Sequence, residues 1–225
     1  MSEPKSVRWR RRKGERPAEI LSAALDCFTE RGFAATRLDD VAKRAGVTKG
    51  TLYLYFPSKE HLFKAVVRES LIPNIERLEA AAAEATVSAF LQSLATIWVG
   101  SIANSRISGI PKLVIAEAGN FPELARFYLD EVVHRALRLL TNLLRRGVES
   151  GEIRPIDVDH TVYCVIAPLI FTLLWQHSLG PFDDRPFDAG AVVRAHIDLL
   201  LRGLLVGPKS NGRPKKNKRG TRERS

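Results

Sequence analysis

Hydroxyl and ammonium groups are concentrated in one short stretch of the sequence. Residues 48–55 read Thr-Lys-Gly-Thr-Leu-Tyr-Leu-Tyr. Helical spacing turns Leu52 to one side and leaves an opposite polar face of Thr48, Lys49, Thr51, Tyr53 and Tyr55. Hydroxyls and ammonium groups of this kind donate hydrogen bonds to phosphate oxygens and to base edges. This stretch could therefore bind a polyanion through hydrogen bonds and charge. It would not catalyse a covalent reaction.

The flanking residues predict the elements that would hold this face in place. Thr36 followed three residues later by Asp39 resembles a capping box at the start of a short helix, and Gly46 supplies the turn after it. Thr48 caps the next helix, which must stop before Pro57. Residues 38–57 therefore have the layout of a helix-turn-helix, whose second helix is of a size that the major groove of DNA admits.

A helix-turn-helix pair is too small to form a core alone and needs further helices. The first helix is predicted from about Pro17 to Arg31, and a fourth, long helix begins after Ser58. Lys59 would place a cation and free backbone N–H groups beside a phosphate. The predicted core joins the two helices to the apolar face of the first one, through Ile20, Leu25, Phe28, Phe33, Val41, Ala42, Ala45, Val47, Leu52 and Phe56.

The net charge of +10 is carried by the two ends of the 225-residue chain. Residues 1–16 hold seven basic and two acidic side chains, and residues 209–225 hold eight and one. The 20 basic and 22 acidic residues left for 17–208 make the body slightly acidic. Basic tails on such a body predict electrostatic arms for nucleic acid. Solvated, solubilising termini are the alternative interpretation.

The remaining sequence predicts an all-α protein of about nine helices, because helical periodicity is widespread and hairpin turn signals are missing. Beyond residue 68 the helices become long, with Pro73 and Pro168 expected to kink or interrupt two of them. The predicted division is a basic arm at 1–16, a helix-turn-helix domain at 17–68, a domain of long helices at 69–207 and a disordered basic tail at 208–225. The long helices are expected at about 86–104, 108–118, 122–150, 157–178 and 187–206.

Several function classes are disfavoured by missing motifs. Cys27 and Cys164 lie far apart without a CxxC pair, which argues against a disulfide framework or a zinc site. The chain has no Gly-x-Ser-x-Gly elbow, P-loop or dinucleotide-binding glycine fingerprint, so we expect neither an enzyme nor a cofactor. The apolar run 162–175 is shorter than the roughly 18–20 residues of a membrane span and is predicted to be a buried helix. A cytoplasmic location follows.

Residues 17 to about 66 resemble the DNA-binding domain of the TetR family of transcriptional repressors. The resemblance rests on an ordered series: Ile20 to Phe28, Gly32-Phe33-Ala-Ala-Thr36, Val41-Ala42, Ala45-Gly46-Val47-Thr48-Lys49-Gly50-Thr51-Leu52-Tyr53, Tyr55-Phe56, Ser58-Lys59-Glu60 and Leu62-Phe63. It implies a homodimer that places the third helix of each subunit in successive major grooves of a palindromic operator. It also implies a C-terminal domain that binds a small molecule and lowers DNA affinity. The residues at the family's contact positions are Thr36, Arg37, Thr48, Lys49, Gly50, Tyr53, Tyr55 and Lys59, whereas Leu54 departs from the usual polar or aromatic residue.

The C-terminal half resembles the family less specifically. Val114-Ile-Ala-Glu117 followed by Phe121-Pro-Glu-Leu124 is similar to ligand domains of multidrug-efflux regulators. The resemblance implies a dimer bundle built from the last two helices, with an apolar stripe of Val162, Ile166, Leu169, Leu173, Leu199, Leu200 and Leu204. An apolar effector would then lie against Trp98, Ile102, Phe127, Tyr128, His134 and Trp175. Each of these residues could instead be plain core, and His134 a surface histidine.

Two further interpretations stay open. Residues 8–13 could extend the first helix or lie in the minor groove, and Gly212-Arg213-Pro214 resembles a minor-groove hook or belongs to a plain polybasic extension. The function predicted from the whole sequence is a dimeric repressor that binds a palindromic operator and is released by a small apolar effector. The alternative is an architectural protein that binds DNA through its tails without sequence preference.

Overall fold

The computed structural model of the protein describes the backbone of residues 5–206 and the side chains from residue 16 onward. Within these residues the fold is all-α, as predicted, and its one β-type pairing is an isolated bridge between Ile153 and Leu205. The α-helices are α1 (Lys5–Arg31), α2 (Leu38–Arg44), α3 (Lys49–Tyr55), α4 (Lys59–Glu84), α5 (Val87–Ile97), α6 (Ile110–Glu117), α7 (Pro122–Tyr128), α8 (His134–Glu149), α9 (Val158–His177) and α10 (Ala189–Leu204).

Two turns of π-helix extend or join the α-helices. The turn Trp98–Ala103 continues α5, and the turn Leu129–Val133 joins α7 to α8. The 3-10 turns are Arg106–Gly109, which leads into α6, and Gly180–Phe182. Because α7 and α8 are joined in this way, the ten α-helices of the described chain form nine continuous helical segments. This number agrees with the one expected from the sequence.

Helix capping follows the sequence at two of three predicted sites. The Thr48 hydroxyl accepts a hydrogen bond from the Thr51 amide, and the Ser58 hydroxyl accepts one from the His61 amide, each at 3.2 Å. The capping box at Thr36 is wrong, because α2 starts after Arg37 without a side-chain cap. The Thr36 hydroxyl instead donates to carbonyls at the end of α1.

Pro17, Pro73 and Pro168 do not mark helix ends, whereas α3 ends before Pro57 as predicted. Helix α1 begins at Lys5 rather than near Pro17, so residues 5–16 of the predicted arm extend this helix. Helix α4 continues through Pro73 and α9 through Pro168, so neither proline interrupts its helix. A proline removes one intrahelical hydrogen bond. Here α4 packs on α1 and α8, and α9 packs on α8 and α10, and these contacts keep both helices continuous.

The helix-turn-helix is built around a cluster of phenylalanine rings. Phe28, Phe33 and Phe63 have centroids 5.5–5.7 Å apart and are fully buried. The edge of the Phe121 ring meets Phe33 at 4.8 Å. Every residue predicted for this core is buried or packed against it. The cluster extends into α6 and α7 through Ile110, Leu113, Val114, Leu124 and Phe127.

Polar contacts reinforce this continuity between the two halves. The Arg106 guanidinium donates to Asp26 and to the Ser22 carbonyl of α1. The Glu117 carboxylate, at the end of α6, accepts a hydrogen bond from the Ala34 amide at 2.9 Å. We call the segment 106–117 the α6 bridge. Its Arg106 contacts Ser22 and Asp26 of α1, and its Glu117 contacts Ala34 in the loop that follows α1.

A second core lies among α5, α8, α9 and α10. By length and composition α9 could cross a membrane, and the bent pair Val87–Ala103 and Arg106–Glu117 would be a second candidate if taken as one span. The face of α9 that carries Val162, Val165, Leu169 and Leu173 is buried in this core. The prediction of a buried helix holds for this face of α9, whereas Tyr163 and Phe171 on other sides are at least half exposed.

Candidate nucleic-acid interface and effector cavity

The angle between α2 and α3 is set by a glycine turn. Gly46 adopts φ +66°, a left-handed conformation that side chains with a Cβ rarely adopt. Its amide donates to the Lys43 carbonyl, and the Val47 amide donates to the Ala42 carbonyl. These two bonds are those of a Schellman motif, which satisfies carbonyls at the end of α2. Leu52 is fully buried and fixes the rotation of α3 about its own axis.

This rotation exposes the polar face predicted for α3. Thr48, Lys49 and Gly50 are exposed at its start, and the Tyr53 side chain is 43% exposed one turn later. Arg37 is exposed at the start of α2. Thr51 and Tyr55 are half-buried, and the Tyr55 ring packs beside Phe56 with centroids 6.5 Å apart. The structure thus places Arg37, Thr48, Lys49, Gly50, Thr51, Tyr53 and Tyr55 on the helix-turn-helix surface, with Tyr55 also contributing to packing.

Hydrogen bonds order the start of α3 before any ligand is present. The Thr48 and Thr51 hydroxyl oxygens are 2.9 Å apart and share a hydrogen bond. The Lys49 ammonium pairs with Asp39 at 2.8 Å. The hydrogen bond to this carboxylate, together with its charge, raises the pKa of Lys49. A phosphate group could replace the exposed carboxylate as the partner of this cation.

Two predicted contact residues have structural positions instead. Thr36 is only 2% exposed, and its hydroxyl donates to the carbonyls of Gly32 at 2.7 Å and Cys27 at 3.0 Å. The Lys59 ammonium donates to the carbonyls of Phe33, Ala34 and Thr36 at 2.8–3.1 Å and lies 4.6 Å from the Phe33 ring centroid. Neither side chain is free for DNA, so both predictions are corrected. These groups close the loop between α1 and α2.

Leu54 is a surface residue whose exposure the sequence did not explain. Its side chain is 76% exposed and follows Tyr53 on the outward side of α3. An apolar side chain on such a surface can contact the methyl group of thymine. The sequence does carry a signal for this exposed leucine: Leu54 is an apolar residue between two tyrosines, at a position where the helical pattern predicts a polar residue.

The second candidate site is an apolar cavity of about 140 Å³. Its wall comes from α4, α5, both π turns, the α6 bridge, α7, α8 and α9. Of the six predicted pocket residues, Trp98, Ile102 and Tyr128 line it. The Trp98 indole N–H donates to the Thr172 hydroxyl at 3.3 Å, and burial raises the pKa of the Tyr128 hydroxyl. The sequence did not identify the contribution of α4, which supplies Leu71, Asn74, Ile75 and Leu78 at helical spacing.

The other three predicted pocket residues lie elsewhere. Phe127 belongs to the first core, where Lys64 and Arg68 approach its ring. His134 is exposed on α8, 3.3 Å from Asp130. Trp175 lies near the surface, between the rings of Phe171 and Phe187. The structure thus places these three residues outside the lining of the cavity. Helical spacing alone did not distinguish the two sides of a helix.

The apolar stripe predicted for the dimer also needs correction. Val162, Leu169, Leu173 and Leu204 are buried within the core of the single chain, and Ile166 lines the cavity. Leu199 alone of the predicted stripe is largely exposed, at 69%. The exposed residues of α9 include Tyr163, Ala167 and Phe171, and those of α10 include Ala191, Ala195 and Leu199. Each set repeats every four residues, which places it along one side of its helix.

Among the residues with described side chains, no group of histidine, cysteine or acidic residues could hold a metal ion. The two cysteines are free, Cys27 in the first core and Cys164 on the exposed side of α9. The geometry described so far therefore consists of an exposed helix face and an apolar cavity within one helical framework.

Two segments of the chain match known protein families. Residues 20–66 match the family described as bacterial regulatory proteins, tetR family, and residues 84–195 match the tetracyclin repressor-like C-terminal domain. The transcriptional regulator RutR of Escherichia coli K12 is 31% identical over 66% of this chain and 69% of its own length. The fatty acid metabolism regulator protein of Bacillus subtilis is 28% identical over 85% of this chain and 98% of its own.

A solved structure extends the comparison to three dimensions. The regulator FadR of Bacillus subtilis, in complex with stearoyl-CoA, superposes with a TM-score of 0.60 at 26% identity, covering 83% of this chain and 98% of FadR. Two family domains that occupy most of the chain, and relatives that share its length and fold, lead to one conclusion. The chain belongs to the TetR family of DNA-binding, ligand-responsive transcriptional regulators.

Proposed function

We propose that this protein is a dimeric repressor that inserts α3 of each subunit into successive major grooves of a palindromic operator, and that an apolar effector releases it. The observation that carries the proposal is the exposed face of α3, held by the buried Leu52 and by the Gly46 turn. A helix fixed in this way can present its N-terminal residues to base edges without losing its packing.

We assign the DNA contacts to the exposed groups near the start of α3. Thr48, Gly50 and Thr51 would approach bases and backbone closely, and Lys49 and Tyr53 would bind phosphates. Arg37 and Tyr55 complete the proposed surface. At Thr36 and Lys59 we propose no side-chain contact, because both polar groups are already bonded. The first backbone N–H groups of α4 remain a suitable phosphate site.

We propose that the dimer forms through the exposed sides of α9 and α10. The rows Tyr163, Ala167, Phe171 and Ala191, Ala195, Leu199 combine large and small side chains that could interdigitate in a four-helix bundle. Leu199→Glu should give a monomer in analytical ultracentrifugation. Leu129→Glu, at an exposed leucine of the π turn between α7 and α8, should leave the sedimentation coefficient unchanged. A Leu199→Glu variant that stays dimeric would refute this interface.

The effector site that we propose is the cavity beside α4. Its volume of about 140 Å³ is below the range of about 300–1,000 Å³ of ordinary ligand sites. A long effector would therefore have to displace part of the wall. That wall includes α4 and Ile107 and Pro111 of the α6 bridge, and both elements contact α1 of the DNA-binding half. An effector that binds better when they are displaced would shift the population away from the DNA-binding arrangement.

A long apolar effector also fits the relatives. The FadR structure of Bacillus subtilis contains stearoyl-CoA, whose acyl part is a long hydrocarbon. On this proposal the chain acts in the cytoplasm, with residues 17–68 as the DNA-binding part and 69–207 as the ligand-binding and dimerisation part. The terminal arm and tail predicted at 1–16 and 208–225 lie largely or wholly outside the described side chains, and they include the possible minor-groove hook.

Selection of bound sites from random duplex DNA tests the proposal against the architectural alternative. The experiment compares the full chain with a variant that lacks residues 209–225. The proposal expects both to recover the same palindrome, with half-sites about one helical turn, or a multiple of it, apart. Recovery of no common sequence by either protein would refute specific recognition and favour binding through the tails.

A further inference from the structure

We infer that the part of the effector held inside the cavity is an uncharged hydrocarbon carrying one hydrogen-bond acceptor, and that the Tyr128 hydroxyl recognises this acceptor. The inference rests on the proposed function, which assigns the cavity to an effector. It adds the chemical class of the ligand and the residue that selects it.

The cavity wall excludes charge. Among the side chains that line it there is no aspartate, glutamate, lysine, arginine or histidine. Two of the arginines that directly precede lining residues are engaged elsewhere: the Arg135 guanidinium, before Ala136, donates to the Glu79 carboxylate at 2.6 and 3.1 Å, and the Arg106 guanidinium, before Ile107, donates to Asp26 and the Ser22 carbonyl. A carboxylate or ammonium group in this cavity would lose its hydration without gaining a counterion, which costs far more than burying a neutral polar group.

Three side chains of the wall carry hydrogen-bonding groups, and two of these are already engaged. The Trp98 indole N–H donates to Thr172, and the Asn74 amide nitrogen donates to the Ser70 carbonyl at 2.9 Å within α4. The Tyr128 hydroxyl forms no hydrogen bond with any residue that the structure describes. A tyrosine hydroxyl in largely apolar surroundings normally finds a partner. Tyr128 is therefore the group whose hydrogen bond a ligand would complete.

The position of Tyr128 gives this bond a regulatory consequence. Tyr128 is the last residue of α7, directly before the π turn Leu129–Val133. Within that turn Val132 also lines the cavity, and Glu131 pairs with Arg68 of α4 at 2.7 Å. A ligand bound to Tyr128 thus contacts the segment that ties α7 and α8 to the helix leading from the DNA-binding half.

Four probes of matched size test the inference: hexane, 2-hexanone, hexanoate and hexylammonium. An engineered apolar cavity of about 150 Å³ binds benzene, so six-carbon molecules suit the observed volume. Dissociation constants are measured by calorimetric titration of the full chain without DNA. The wild type is compared with Tyr128→Phe, and Tyr163→Phe on the exposed side of α9 is the matched control.

We expect Tyr128→Phe to weaken 2-hexanone by about 2- to 12-fold while leaving hexane unchanged, since one neutral hydrogen bond is lost. Tyr163→Phe should change neither. Hexanoate and hexylammonium should bind the wild type at least tenfold more weakly than the ketone. Equal effects of Tyr128→Phe on hexane and ketone, or a charged probe that binds as tightly as the ketone, would overturn the inference.

A cavity-filling variant verifies the place of binding. Ala136→Leu adds three carbons to the wall and should abolish binding of both neutral probes. Persistent binding would place them elsewhere, such as the apolar groove beside Phe171 and Trp175, and would overturn the inference. Failure of all four probes to bind the wild type would overturn it as well. Because no DNA is present, these outcomes are independent of operator selection, which tests the proposed function.

Discussion

Lys59 and Lys49 offer the sharpest test of how this structure divides its cations between folding and DNA binding. Both belong to the family's set of contact positions, yet they have different surroundings. The Lys59 ammonium contacts three backbone carbonyls, whereas Lys49 is paired with one exposed carboxylate. Replacement of each lysine by methionine keeps the aliphatic stem and removes the charge.

The loss at Lys59 can be estimated from its contacts. The carbonyls of Phe33 and Thr36 are partly buried, and each charge-assisted bond to them contributes about 1 kcal/mol or somewhat more after the exchange with water. The Ala34 carbonyl is exposed and adds little. The contact with the Phe33 ring adds about 0.5–1 kcal/mol. Lys59→Met should therefore cost about 2.5–4 kcal/mol, which corresponds to a fall in melting temperature of about 5–16 °C.

The assay combines calorimetric melting with DNA affinity measured over a range of salt concentrations. Lys59→Met should melt earlier but keep the wild-type salt dependence when binding is measured well below its melting temperature. Lys49→Met should melt close to the wild type, because its ion pair is exposed, and should reduce the salt slope by about 0.9 per half-site. A Lys59→Met protein with normal melting and a reduced slope would refute the structural role of this ammonium.

Three further perturbations test other parts of the molecule. Tyr53→Phe should weaken binding to the selected operator by about 2- to 12-fold in fluorescence anisotropy, with an unchanged melting temperature; equal affinity would remove this hydroxyl from the contacts. Glu117→Ala should speed hydrogen exchange of the Ala34 amide by about 5- to 12-fold, whereas Glu123→Ala should not, and equal exchange would contradict the tie made by the α6 bridge. The hydrogen bond from Arg135 holds the pKa of Glu79 below its ordinary 4.5. The pair therefore contributes its full stabilisation above pH 4.5 and loses it as the pH falls through the lowered pKa of Glu79. Glu79→Gln should melt with a weaker acid dependence below pH 4.5, and an unaltered dependence would show that this pair does not contribute.

The DNA-binding half was predictable because its signals are local. The Thr48 and Ser58 caps, the Gly46 turn and the buried Leu52 each depend on residues within one or two helical turns. Local rules misjudged Thr36, whose threonine-x-x-aspartate pattern fits a capping box. Its hydroxyl instead bonds to α1, a partner that no spacing within α2 reveals.

The ligand-binding half was less predictable, because its structure depends on contacts between distant residues. The pattern indicated that α9 is apolar, but Val162 and Phe171 differ in burial because α8 and α10 cover one side only. Tyr128 and Phe127 are neighbours in sequence, and helical rotation sends one to the cavity and the other to the first core. The hydropathy of the sequence does not distinguish the two sides of such a helix, because both sides carry apolar residues.

The sequence by itself determined an all-α chain with a capped helix-turn-helix near its N-terminus, since caps, turns and helical periodicity act over a few residues. Only the tertiary structure decided that Lys59 serves the loop between α1 and α2, that the α6 bridge joins the two halves, and that α4 lines the apolar cavity. The physical reason is that hydrogen bonds and burial between distant residues depend on how whole helices pack. Packing is decided by the entire chain at once.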